Sequence, residues 1–133
     1  MKGKKLNLLI LPETLAICRL EKDAAIPEWA MTGSFVSTTR TAEELSIVCP
    51  QIQVPAGMKR EESWRCIKVQ GSLAFSLTGI LASLTTPLAQ AGISVFAIST
   101  YDTDYLLVKE ENLEKSIEIL VKKGHRVQRN SSE

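Results

Sequence analysis

The stretch that decides the fold is LAFSLTGILASLTTPLAQAGISVFAISTYDTD, residues 73–104. Its pattern predicts a helix that ends at Gly92, a buried strand over residues 93–100 and a polar turn before Asp104. Residues 64–69, ahead of it, predict a further strand. A strand, a helix and a second strand in this order open a split β-α-β unit, in which the loop before the helix lies close to the loop after the second strand. Two such loops can hold a small molecule between them.

The predicted helix begins at about Ser72, whose hydroxyl suits the N-cap position. Leucines recur at positions 77, 81, 84 and 88, and this spacing puts them on one stripe that faces a sheet. Pro87 lies inside the stripe, removes one backbone donor and crowds the carbonyl of Ser83, so we expect a kink there.

The rest of the chain after Asp104 predicts a strand at residues 105–108, a helix that begins at Asn112 and ends at Gly124, and a short strand at 125–128. The order from residue 64 onward is therefore strand, helix, strand, strand, helix, strand, which is ferredoxin-like. We predict a domain over residues 63–128 and a frayed tail at 129–133.

The amino-terminal half is less regular. It predicts strands at residues 6–11, 15–20, 35–39 and 46–49, with a brief helical turn after Pro27. Residues 51–63 hold a proline, a glycine and a charge cluster without periodicity, so they form a connection. We place a first, smaller unit at residues 1–62, too small to be stable alone.

Composition excludes several classes of protein. The 133 residues carry 16 Lys and Arg against 15 Asp and Glu, a net charge of +1, without the concentrated basic face that nucleic-acid binding needs. Three widely spaced cysteines and one histidine provide neither a disulfide framework nor a zinc site, and we expect buried, reduced thiols. We find no signal peptide and no apolar run of about 20 residues, so we expect a cytoplasmic protein that does not enter a membrane.

Four stretches carry a resemblance to a known family: WRCIKV at 64–69, LTGIL at 77–81 with PLA at 87–89, ISTYDTDYLLV at 98–108, and FVSTTRTAEELSIV at 35–48. In these stretches the chain resembles the ACT-domain proteins, specifically the small tandem-ACT group of the CASTOR-type amino-acid sensors. The run at 98–108 is the specific part of the resemblance.

The resemblance implies an α+β fold with ferredoxin-like βαββαβ architecture, built as two tandem ACT-like units with antiparallel sheets. The unit at 1–62 is then degenerate, because its leading helix is reduced to the residues near Pro27. ACT domains pair side by side and bind an amino acid at the interface, so the resemblance also implies a homodimer. Carried over residue by residue, the ligand site comprises Gly71, Ser72, Leu73 and Phe75 from one loop and Ile98, Ser99, Thr100 and Asp104 from the facing strand end.

An α-amino acid needs one subsite for its carboxylate and another for its ammonium group. Unpaired backbone N–H groups at the start of the helix at Ser72 suit the carboxylate, and Asp104 or the carbonyls around Ser99 suit the ammonium group. The alternative for Gly71 and Ser72 is an ordinary turn and helix cap.

Three other functions are disfavoured. Asp102 and Asp104 are more typical of a turn than of a metal site, because no further carboxylate or histidine accompanies them. Ser72 and Ser76 have no histidine nearby in sequence, and we expect the lone His125 to be exposed or to cap a helix, so catalysis is not expected. The strand aromatics lack the glycine-framed motif of RNA-binding sheets.

The sequence thus predicts a small regulatory protein that binds a free amino acid without catalysis, cofactor or metal. Ligand binding would order the loops after Val69 and Thr100 and change the surface presented to a partner. The alternative is a structural dimerisation or protein-interaction module with a vestigial pocket, filled by Leu73 and Phe75.

Overall fold

The computed structural model describes residues 5–70 and 79–129. In chain order the strands are β1 (Asn7–Leu20), β2 (Ser37–Arg40), β3 (Leu45–Pro50), β4 (Arg60–Val69), β5 (Phe96–Ser99), β6 (Asp104–Lys109) and β7 (Arg126–Arg129). The helices are α1 (Ile80–Gln90) and α2 (Leu113–Lys122), with single 3-10 turns at Glu28–Ala30, Gln51–Gln53 and Glu110–Asn112. None of the helices in the described ranges is both long and apolar enough to cross a bilayer.

The chain forms two compact units. The helical unit contains the described parts of Met1–Pro12 and Arg65–Glu133, and the strand unit is Glu13–Trp64. Strands β1 and β4 contribute residues to both units. Residues 5–12 therefore group with the carboxy-terminal half, although the sequence placed them in a first unit at 1–62. The bounds 1–62 and 63–128 for two ACT-like domains stay a prediction.

The helical unit has an α+β fold. Its strands follow the order β7, β1, β4, β6, β5, and from β4 to β7 the chain alternates strand, helix, strand, strand, helix, strand. The ferredoxin-like fold class is thereby confirmed. Strand β1 lies between β4 and β7, which the sequence did not predict. It runs parallel to β7, with Asn7 opposite Arg126, whereas β5 and β6 are antiparallel.

The core of the helical unit lies between the sheet and the two helices. Helix α1 buries Ile80, Leu84, Pro87 and Leu88, which confirms Leu84 and Leu88 of the predicted apolar stripe, whereas Leu81 of that stripe is only partly buried. Each fully buried leucine contributes about 1.5–3 kcal/mol through apolar area removed from water. The buried members of the core are Leu6, Leu8, Ile10, Ile67, Val69, Ile80, Leu84, Leu88, Ile93, Leu106, Val108, Leu113 and Leu120.

Helix α1 begins at Ile80, not at Ser72 as the sequence predicted. Gly79 occupies the N-cap position with φ 76°, a left-handed conformation that cannot continue a right-handed helix. Ser72 itself lies outside the described residues, as does Leu77 of the predicted stripe. The unpaired N–H groups of the first turn therefore follow Gly79.

The predicted end of α1 at Gly92 is confirmed. Gly92 has φ 78°, its N–H donates to the carbonyl of Ala89 at 2.9 Å, and the N–H of Ile93 donates to the carbonyl of Leu88 at 3.0 Å. These bonds are those of a glycine-terminated helix. They direct the chain out of the helix and into β5.

Replacing Gly92 with alanine tests this helix end. No heavy atom lies within 4 Å of the Cβ position, so the substitution costs only the left-handed backbone conformation, about 1–2 kcal/mol of unfolding free energy. Urea denaturation measures the change. Gly92→Asn is the control and should lose less, because asparagine tolerates this conformation. Equal stability of wild type and Gly92→Ala would contradict the assignment.

The strand unit is a sheet in the order β2, β3, β1, β4. Strand β1 is continuous over Asn7–Leu20, where the sequence predicted two strands separated at Pro12. The proline is tolerated because it lies between the segment that pairs with β7, which ends at Ile10, and the segment that pairs with β3, which begins at Leu15. The buried core of this unit comprises Ala16, Cys18, Ala30, Leu45, Ile47, Cys49 and Val54.

Candidate ligand-binding site

The turn between β5 and β6 is fixed by hydrogen bonds between two threonines. The N–H of Thr100 donates to the carbonyl of Thr103 at 2.8 Å. The hydroxyl of Thr100 donates to the same carbonyl at 3.1 Å and accepts from the N–H of Thr103 at 3.3 Å. Tyr101, which is 81% exposed, and Asp102 form the tip. The turn is therefore a rigid corner with an exposed end.

Thr103 joins this corner to the end of strand β4. Its side chain is buried, and its hydroxyl donates to the carbonyl of Val69, the last residue of β4. The following N–H, that of Gln70, donates to the carbonyl of Asn7 at 2.8 Å. The end of β4 and the turn after β5 are thus in direct contact, as expected for the loops of a split β-α-β unit.

Asp104 supplies a carboxylate at the base of the turn. Ser99 and Asp104 are register partners on β5 and β6, and the Ser99 hydroxyl donates to Asp104 Oδ1 at 2.6 Å. Within residues 5–70 and 79–129, the second oxygen, Oδ2, has no hydrogen-bond donor. A carboxylate with one oxygen anchored and the other available can accept a charge-assisted hydrogen bond from an ammonium group.

The predicted site residues divide into two groups. Ile98, Ser99, Thr100 and Asp104 lie together on the β5–β6 hairpin. The other predicted residues, Gly71, Ser72, Leu73 and Phe75, lie outside the described residues. The structure describes the two residues that precede this predicted loop, Val69 and Gln70. The ligand-binding role of all eight residues stays a prediction.

Strand β6 continues from the turn into an apolar environment. Burial raises the pKa of the Tyr105 phenol, and the neighbouring Cys66 and Asp102 raise it further. Burial also raises the pKa of the Cys66 thiol to about 12, against the opposing effect of Lys68. Both groups are therefore neutral at physiological pH, and the carboxylates of the turn itself are those of Asp102 and Asp104.

His125, expected to be exposed or capping, is buried in the helical unit. Its Nδ1 accepts the N–H of Leu6 at 3.1 Å, and the ring also hydrogen-bonds the backbone of Ser83. The Ser83 carbonyl is available because Pro87, one turn later, has no N–H to donate to it. Burial lowers the pKa of His125, with the Ser83 carbonyl opposing that shift. Both ring nitrogens are engaged by backbone, so the only histidine cannot serve as a general base.

The three cysteines are free and buried, which confirms the expectation of buried, reduced thiols. Burial raises the pKa of Cys18, and burial followed by the proximity of Cys18 raises the pKa of Cys49 to about 11. These thiols are therefore protonated and unreactive at neutral pH. In the part of the chain that the structure describes, no three His, Cys, Asp or Glu side chains lie close enough to share a metal ion.

Thr103 is the residue of this region that the sequence reasoning missed. Its hydroxyl bond to Val69 crosses 34 positions of sequence, so it leaves no local signal. The spacing of Thr100 and Thr103 was a usable signal, because threonine side chains at such spacing stabilise turns by bonding nearby backbone groups.

Two family models match the chain. A model described as an ACT domain matches residues 59–122, which include β4, α1, β5, β6 and α2. A second model, described only as an N-terminal domain, matches residues 13–57, which lie within the strand unit. The boundary between the two matches falls at the start of β4.

Among curated proteins, the human cytosolic arginine sensor for mTORC1 subunit 1 is 42% identical over 60 residues, which cover 44% of this chain and 18% of that protein. The bovine protein of the same name matches equally. The chain thus spans about a fifth of the length of these relatives. Human CASTOR3P is 33% identical over 92 residues, which cover 59% of this chain and 56% of that protein.

Among solved structures, protein Atu0741 from Agobacterium tumefaciens superposes with a TM-score of 0.92 at 42% identity, over 96% of both chains. The regulatory subunit of aspartate kinase from Thermus flavus superposes with a TM-score of 0.63 at 9% identity, over 90% of this chain and 99% of that one. The second likeness shows the fold alone. The resemblance to ACT-domain proteins of the CASTOR type is confirmed: the chain carries an ACT domain over residues 59–122, and it is a relative of Atu0741 over nearly its whole length.

Proposed function

We propose that this protein is a regulatory module that senses a free amino acid and catalyses no reaction. The amino acid binds between the β5–β6 turn and the loop after β4, and its ammonium group is accepted by Asp104. Its carboxylate is bound by backbone N–H groups of the loop that contains Gly71, Ser72, Leu73 and Phe75. We further propose that the protein acts as a cytoplasmic homodimer, with the ligand at an interface between ACT domains.

The observation that carries this proposal is the hydrogen bond from Thr103 to Val69. It brings the end of β4, after which the predicted loop begins, next to the turn that bears Asp104, and this supports a ligand that contacts both. The match to an ACT-domain model and the name of the human relative, a cytosolic arginine sensor, support amino-acid sensing and a cytoplasmic location. The engagement of His125 by backbone supports a role without catalysis.

A thermal-shift screen of the twenty amino acids, followed by calorimetry on those that stabilise the protein, tests the proposal. L-arginine is the first probe, because it is the ligand in the relative's name. Saturation at 100 times the dissociation constant should stabilise the folded state by about 2.7 kcal/mol. A screen in which no amino acid raises the melting temperature would refute amino-acid sensing.

Replacing Asp104 with asparagine tests the ammonium subsite. The substitution removes a charge-assisted hydrogen bond, so the dissociation constant for the stabilising amino acid should rise roughly 10- to 100-fold. Asp102→Asn is the matched control, because it removes the same charge from the exposed tip of the same turn. Calorimetry should show it binding within about twofold of wild type. If both variants bind equally well, Asp104 has been wrongly assigned.

The second candidate function is a structural dimerisation module. Strand β5 pairs only with β6 in the described residues, and its Phe96 and Ile98 are half-buried on one face. An open strand edge of this kind is a template for pairing with a second chain. This function predicts a stable dimer in light scattering together with no response to any amino acid, which separates it from the sensor.

A further inference from the structure

Thr103 differs from the residues around it on the β5–β6 turn. It is 8% exposed, whereas the neighbouring Tyr101 is 81% exposed. Its N–H and carbonyl both bond to Thr100, and its hydroxyl bonds to Val69. Every polar group of this residue is therefore engaged, and each bond fixes the position of the turn or its distance from β4.

The bond to Val69 acts at the point where β4 ends. The carbonyl of Val69 and the N–H of Gln70 are successive backbone groups, and they bond to Thr103 and to Asn7 respectively. The chain therefore enters the segment after Gln70 from a fixed position. A threonine hydroxyl is a single donor, so a valine of nearly the same shape would remove the bond to the Val69 carbonyl and nothing else in size or shape.

We propose that Thr103 is the positioning residue of the ligand site. It holds the turn that bears Asp104 at a fixed distance from the end of β4, and thereby couples the position of the turn to that of the strand end on the other side of the site. This inference rests on the proposed function in so far as a ligand is involved. The coupling between the turn and β4 exists without ligand and can be measured without it.

The test compares Thr103→Val with Thr103→Ser, first in the free protein. Hydrogen exchange at the Thr100 amide reports the order of the β5–β6 turn, and exchange at the Gln70 amide reports the order of the end of β4. Both N–H groups are hydrogen-bonded in the native protein. Thr103→Val should accelerate exchange at both amides by about tenfold or more, while exchange in α2 stays unchanged. Thr103→Ser retains the hydroxyl and should restore protection at both amides. Unchanged exchange in Thr103→Val, or a failure of serine to restore protection, would overturn the inference.

The second arm measures binding of L-arginine by calorimetry, well below the melting temperature of every variant. Thr103→Val should weaken binding about tenfold and Thr103→Ser by no more than about twofold. If the valine variant is less stable but binds with wild-type affinity, Thr103 has a structural role only and the inference fails. If wild type binds neither L-arginine nor any other amino acid, the proposed function fails, and the exchange experiment alone decides the role of Thr103.

Discussion

Acidification from pH 7.5 to pH 5 is expected to lower the free energy of unfolding of this protein through the single histidine, His125. The folded ring has a pKa below its ordinary value of 6.5 because it is buried. Its Nδ1 accepts a hydrogen bond from the Leu6 N–H, which requires the neutral ring with its proton on Nε2. Protonation would set an N–H donor against the Leu6 N–H and charge a buried ring.

The direction of the pH effect follows from proton binding by the two states. Between the folded pKa and 6.5, the unfolded chain binds more protons at His125 than the folded chain does, so stability falls as the pH falls. The contribution is fully present above about pH 7 and is lost as the pH drops through the folded pKa. For one proton the slope cannot exceed about 1.4 kcal/mol per pH unit. Urea denaturation at half-unit intervals of pH measures it.

Two variants separate titration from packing at His125. His125→Gln retains an acceptor and a donor but has no ionisable group, so its stability should be nearly flat between pH 7.5 and pH 5.5, where carboxylates still stay ionised. His125→Ala leaves the Leu6 N–H and the Ser83 carbonyl unpaired, and should lose about 2–4 kcal/mol at pH 7.5. A glutamine variant with the same pH slope as wild type would show that another group titrates.

The elements that the sequence predicted correctly are those whose cause is local. Gly92 ends α1 because its own backbone adopts the left-handed conformation, and the apolar stripe with Leu84 and Leu88 is a matter of spacing along one helix. The turn at residues 101–103 follows from its polar composition. These features need no knowledge of distant residues.

The predicted start of α1 was wrong, and the cause is a local feature that the spacing of apolar residues does not reveal. Gly79 stands inside an apolar run with helical spacing, and a glycine within such a run is compatible either with the helix interior or with its boundary. In the structure Gly79 is the boundary residue, because its φ of 76° is incompatible with the helix interior. As a result, the helix dipole expected to bind a carboxylate at Ser72 begins after Gly79.

The remaining differences come from contacts between residues distant in sequence. The parallel pairing of β1 with β7 joins Asn7 to Arg126, and His125 bonds to Leu6 across 119 positions. Thr103 bonds to Val69 in the same way. Neither residue type predicts burial by itself, since threonine and histidine are both common on surfaces. Only the fold supplies the backbone partners that allow them to be buried.

Replacing Leu84 with alanine is expected to be among the most destabilising single substitutions in the helical unit. Leu84 is 0% exposed and belongs to the core formed by the sheet and the helices. The substitution removes buried methyl groups and leaves a cavity, because close-packed neighbours relax only in part. The expected loss is about 2–5 kcal/mol of unfolding free energy, which is a large share of the 5–15 kcal/mol that is usual for a domain.

Leu81→Ala is the matched control, because it makes the same chemical change on the same helix. Leu81 is only partly buried and packs against the edge of the core, so less area and less cavity are lost, and the cost should be about 1–2 kcal/mol. The two substitutions have the same effect on helix propensity, so their difference isolates burial. Equal losses in urea denaturation would place α1 with a different face against the sheet. A larger loss of unfolding free energy for Leu84→Ala than for Leu81→Ala would establish which face α1, the helix after the proposed ligand loop, turns toward the sheet.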